Sequence, residues 1–180
     1  MKKTSTFAYI LRLSATLLII TALVALALAG VDSITKPIIA QLNAQKTQQA
    51  VEKVLPGGGE EMTLSGDTGM VKAAYASDTG YAVLVEPTGF GDTISMMVGV
   101  DKEGTVLGVS IISHAETPSL GAVAADKTSA GEDFRNQFAG KSGTLAVGTD
   151  IDSLTGATIT SKAVTDGVNA AIAFVKEVSA

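Results

Sequence analysis

The chain has 180 residues, enough for one core of ordinary domain size plus an appendage. Its formal net charge is −5, and Lys2, Lys3 and Arg12 precede a long apolar run, so the rest carries −5 − 3 = −8. An acidic body lacks the basic footprint that nucleic acid requires, the lack of cysteine excludes disulfides and thiolate-held zinc or iron–sulfur centres, and one histidine, His114, makes a His-based metal site improbable.

The N-terminal MKKTSTFAYILR leads into LSATLLIITALVALALAGV and then DSITKP, with no charged side chain between Arg12 and Asp32. That length is close to the ~20 apolar residues that span a bilayer core. The leading cations predict a cytoplasmic N-terminus and a body outside the cell membrane. Ala27-Leu28-Ala29 resembles a signal-peptidase site, but the apolar run exceeds the ~7–15 residues of a signal-peptide core. A single-pass, uncleaved anchor over residues 1–31 is the expectation.

Residues 33–54 read as a separate helix with Pro37 in its first turn. Ile38, Leu42, Val51 and Val54 would form a partial apolar stripe, and residues 32–60 a helical linker. LPGGGEE at 55–61 breaks the pattern, so the globular domain is expected over 61–180.

Four strand-like runs follow, at 70–77, 81–86, 93–100 and 105–113, separated by Gly- and Asp-containing turns such as DKEG. They read as an antiparallel meander with Val98, Val100, Leu107, Val109 and Ile111 on one buried face. Short helices are expected over 120–126 and 132–138, and a long, mostly buried one over 159–178. Strands with helices packed on one face define an α+β domain.

Three stretches invite a chemical reading. GFGDT at 89–93 holds GxG but lacks a following helix, so it reads as a hairpin turn rather than a nucleotide fingerprint. HAETPSLG at 114–121 falls where sheet gives way to helix. It can be a plain loop with Thr117 or Ser119 capping a short helix. His114 and Glu116 could pair as acid and base, but no nucleophile or metal completes such a site. DSLTGATITS at 152–161 packs five hydroxyl residues ahead of the last helix. Asp152, Ser153 or Thr155 could simply cap that helix. However, Gly156 and Ala157 allow close approach of a bulky group, and the hydroxyls exceed what one cap needs. A helix N-terminus also favours phosphate, so a threonine there could bind one or be esterified by one.

DSLTGAT matches the flavinylation pattern of Asp, two variable residues, Ser or Thr, Gly, Ala and an acceptor Thr. HAETPSLG is similar to the HxETPGLG stretch of the FMN-binding domain, and the intervening strands look like that domain's sheet. With a single N-terminal anchor, the chain resembles the G-subunit family of the Rnf electron-transport complex, relatives of the C-subunit family of the sodium-pumping NADH:quinone reductase. The resemblance implies covalent FMN on Thr158, held by a phosphodiester and attached by a separate flavin transferase, with Lys162, one turn past it, placed to help neutralise the phosphate. It implies that Asp152, Thr155, Gly156 and Ala157 form the acceptor motif. It also implies that Glu116, Thr117, Leu120 and Gly121 lie near the ring. Ser119 departs from the family's Gly, which matters if that position has a positive φ. The implied role is an electron carrier among other membrane subunits of an ion-translocating ferredoxin:NAD+ oxidoreductase, with no substrate turned over by this chain alone. Two other readings compete: a stand-alone surface flavoprotein, and an anchored binding module without a cofactor.

Overall fold

The computed structural model describes residues 6–64 and 68–179. The chain divides into two compact units, Met1–Ala44 and Gln45–Ala180.

Helix α1 runs without interruption over Thr6–Val54, with Pro37 inside it. The expected helix start at residue 33 is therefore corrected. Pro37 removes one backbone donor, but local bonds carry the helix across this stretch. Ser33 and Thr35 donate back to the carbonyls of Ala29 and Val31, each at 2.8 Å. Asp32 and Lys36 pair at 2.5 Å one turn apart. The expected stripe is realised only in part: Ile38 and Leu42 are about half exposed, whereas Val51 and Val54 are buried.

The second unit is built on a five-stranded antiparallel sheet in sequence order: β1 Glu60–Met62, β2 Val71–Ala76, β3 Gly80–Val85, β4 Ser95–Asp101 and β5 Val106–Ser113. A 3-10 turn, Gly121–Ala125, then helices α2 Ser129–Asn136 and α3 Thr158–Val178 complete it. The α+β class holds. Thr128 caps α2, its hydroxyl accepting from the Gly131 amide.

One sheet face carries Val83, Val85, Met96, Val98 and Val100 against Val164, Val168, Ile172 and Val175 of α3. Phe134 and Phe138 join this core and meet edge to face at 5.6 Å. The other face is covered too, by Ala50, Val51, Val54 and Leu55 packed against Ala82 and Met97. The sequence pattern placed helices on one face only. The continuous apolar run of β4 reflects burial on both. Gly99 makes the second contact possible, because a Cβ there would collide with the Val54 carbonyl.

Two strand details differ from expectation. Leu107 is exposed and Val106 is buried instead. The pairing jumps from Gly99↔Gly108 to Val100↔Val106, and this bulge turns Leu107 outward. The short β1, within and just past the expected breaker, pairs with β2 at Glu60↔Ala76 and Met62↔Ala74.

Candidate cofactor site

The sheet and α3 bring HAETPSLG and DSLTGATITS, about forty residues apart in sequence, onto one cavity. Its volume is about 310 Å³, within the range of small-molecule sites. From the first stretch come Glu116, Thr117, Leu120 and Gly121; from the second, Gly156, Ala157, Thr158, Ile159 and Thr160; from the 89–93 turn, Phe90. A larger cavity of about 600 Å³ lies between the β1–β2 segment and α3. Thr63, Leu64 and Thr68 line it, flanking residues outside the described set, and among the described residues that line it Glu177 is the one ionisable group.

Glu116 is the buried hub of the site. One carboxylate oxygen accepts from the Gly91 amide at 2.9 Å, and the other accepts from the Thr160 hydroxyl in a short bond. Glu116 thus ties the GFG turn and the first turn of α3 to the segment after β5. Gly91 lies so close to the Ala115 carbonyl that a side chain would collide with it. That explains the small residue, and it holds Phe90, 66% exposed, at the cavity. His114 is turned elsewhere: its Nδ1 accepts from the Glu116 backbone N–H at 3.2 Å. Among the described residues no side-chain bond joins His114 to Glu116, so the geometry gives the acid–base pair no support.

The hydroxyls of residues 152–161 are not equivalent. Ser161 is buried, donating to the Ala157 carbonyl and accepting from the Leu154 amide, both at 3.0 Å. Thr160 is buried on Glu116. Thr155 and Thr158 are exposed, and of these two only Thr158 lines the cavity. None caps α3. The N-cap is Ala157, which makes no side-chain cap bond, so capping by Asp152, Ser153 or Thr155 is corrected. Gly156, at φ +74°, turns the chain into the helix in a way a β-carbon resists. Thr117 and Ser119 do not cap the 3-10 turn either: its N-cap is Leu120, without a side-chain bond. Ser119 sits at φ +62°, the one non-glycine with positive φ among the described residues.

Gln137 holds the entering loop like a strand partner, accepting from the Asp152 amide at 2.7 Å and donating to its carbonyl at 3.3 Å. Asn169 does the same for Leu145, at 2.8 and 2.9 Å. Asp152, Thr155 and Lys162 are exposed and do not line the cavity. Sequence reasoning missed Phe90, Ile159 and Thr160 as lining residues. An aromatic between two turn glycines was the available signal for Phe90; the others had none.

The donor set fits a flavin mononucleotide. Phe90, Leu120 and Ile159, each at least 44% exposed, offer apolar surface to a ring system at the cavity. The uncapped first turn of α3 offers amides and the positive helix end to a phosphate. The family pattern for an FMN-binding domain matches residues 89–173, a span that holds every residue lining this cavity. Similarity to whole proteins extends further. The G subunit of the proton-translocating ferredoxin:NAD(+) oxidoreductase complex of Clostridium ljungdahlii is 36% identical, over 81% of this chain and 80% of that protein. The G subunit of the Na(+)-translocating complex of Acetobacterium woodii is 31% identical, over 91% and 90%. The G subunit of the ion-translocating oxidoreductase complex of Escherichia coli is 33% identical, over 79% and 80%. The chain belongs to this G-subunit family, electron-transfer proteins built on an FMN-binding domain.

Proposed function

We propose that the chain is a membrane-anchored electron carrier with FMN esterified through its phosphate to Thr158. The observation that carries this reading is the convergence of two distant motifs on one cavity, with Thr158 exposed at its wall and at the first turn of α3. Thr158 Oγ would become the ester oxygen. The neighbouring first-turn amides would hold the phosphate, and exposed Lys162, one turn on, would lower its charge. Phe90, Leu120 and Ile159 would flank the ring, while Glu116 keeps the turn bearing Phe90 fixed against α3. The flavin supplies the redox chemistry; the protein supplies position and field.

A threonine hydroxyl is a weak nucleophile, so attachment calls for a flavin transferase as a maturation partner. Anchoring is supported by α1, whose most apolar window has a mean hydropathy of 2.4 and none of its residues buried. Leu17, Leu18, Leu26 and Leu28 are each at least 65% exposed, which suits lipid rather than water. Lys2, Lys3 and Arg12 favour a cytoplasmic N-terminus, with the flavin domain outside. The relatives are named as subunits of ion-translocating ferredoxin:NAD(+) oxidoreductase complexes. This chain would serve such a complex by passing electrons between redox centres of neighbouring membrane proteins.

Coexpression with a flavin transferase tests the attachment. Flavin fluorescence should stay with the protein band on a denaturing gel and vanish in Thr158→Ala. Fluorescence that survives this substitution contradicts the assignment.

A further inference from the structure

A second groove, of about 440 Å³, lies away from the flavin cavity and shares no residue with it. Lys46, Gln49, Ala50 and Lys53 of α1 form one wall at one-turn spacings, and Lys127 and Arg135 form another. From Gln45 onward the sequence has nine basic residues and seventeen acidic ones. Four of those nine cations line this groove, and no carboxylate does. Among the described residues the one ion pair is Lys36 with Asp32, so none of the four is paired. Arg135 is 7% exposed, its Nη1 donating to the carbonyls of Ala124 and Asp126. Glu132 and Asp126 act on it only at longer range.

The groove floor is the free edge of the sheet. β5 is the last strand, and Ser110, Ile111 and Ile112 line the groove. Residues 140–142 reach this edge only at its beginning, through Gly140 and Lys141 to Val106 and the bridge Thr105↔Ser142. Among the described residues, no backbone bond from outside the sheet reaches 107–113. Bare edges recruit extended peptides, whose main chain supplies the affinity. Segregated cations select the sign of the guest.

We infer that β5 accepts an extended, carboxylate-rich segment of a partner protein as a sixth strand, its acidic side chains meeting Lys46, Lys53, Lys127 and Arg135. An anionic lipid headgroup suits the cations but not the directional backbone edge or the apolar Ala50, Ile111 and Ile112. A second copy could offer its own acidic edge strand, Glu60–Met62, but that strand has three residues.

The test uses the full chain in phosphatidylcholine nanodiscs and a fluorescent peptide of alternating Glu and Val, about eight residues long. The peptide should bind, protect the amides of 108–112 from exchange, and weaken at least roughly tenfold in Lys53→Gln/Lys127→Gln. A version with a central proline, which cannot pair as a strand, should weaken comparably. The inference is overturned by lack of binding, by equal affinity for the proline peptide, or by equal affinity in the double variant. It is also overturned if phosphatidylglycerol nanodiscs abolish binding by occupying the groove, or if the variant removes self-association of the chain instead. None of these readouts involves the flavin, so they stand apart from the fate of Thr158.

Discussion

Glu116 shows how one side chain organises a site. Its carboxylate is buried and bonded to the Gly91 amide and the Thr160 hydroxyl. Bonds to a charged acceptor are worth about 1.5–3 kcal/mol, and a buried donor left unmet adds its own penalty. Glu116→Ala should lower the unfolding free energy by about 2–3 kcal/mol in urea titration. It should also shift the flavin absorbance by freeing Phe90. An unchanged unfolding midpoint would show that the network carries no stability. Ser119 makes the opposite case. A left-handed residue with a β-carbon costs about 1–2 kcal/mol, and glycine returns part of that gain through its unfolded-state entropy. Ser119→Gly should therefore stabilise the fold by about 0.5–1 kcal/mol, read from the denaturant midpoint; a loss of stability would contradict the strain. The HAETPSLG motif pointed to Glu116 but not to its partners, because those lie 25 and 44 residues away in sequence. The departure at Ser119 was visible by likeness alone, and its backbone conformation needed the fold.

At the scale of elements, periodicity located strands β2 to β5 and helix α3, whose patterns are long and strongly buried. It failed where tertiary contact overrules local pattern. The three residues of β1 carry too little alternation to register, and the bulge after Gly99 inverted the reading of Leu107. Asp32, Ser33 and Pro37 looked like a helix start, yet Ser33 bonds backward into a helix already formed and Asp32 pairs within it. The β1–β2 pair carries a pH-dependent contact. Tyr75 stands opposite Glu61, and burial, with that carboxylate, raises its phenol above the ordinary 10.0. The folded state therefore holds the phenolic proton more tightly than the unfolded chain does. The resulting stability is fully present below the ordinary value and is lost as pH rises through the raised one. Alkaline unfolding should weaken this pair above about pH 10, and Tyr75→Phe should flatten that dependence. An identical alkaline profile in Tyr75→Phe would remove the phenol from the account.

At the scale of the whole molecule, the sequence separates an apolar leader from an acidic body, and that contrast was plain from charge alone. Less legible was that the end of α1 belongs with the body. Gln45 begins the second unit, and Ala50 to Leu55 cover a sheet face that composition left unassigned. A partial stripe of Ile38, Leu42, Val51 and Val54 in a Gln- and Lys-rich helix cannot say which turns will be covered. The flavin site was legible as two separate motifs, and their meeting on one cavity belongs to the fold. The central claim is that this meeting serves a covalent flavin on one particular hydroxyl. Its most direct test is peptide mass mapping of the denatured, transferase-matured chain. The account predicts an FMN adduct confined to Thr158, with Thr155, Thr160 and Ser161 unmodified. An unmodified chain, or an adduct on any other residue, would contradict it.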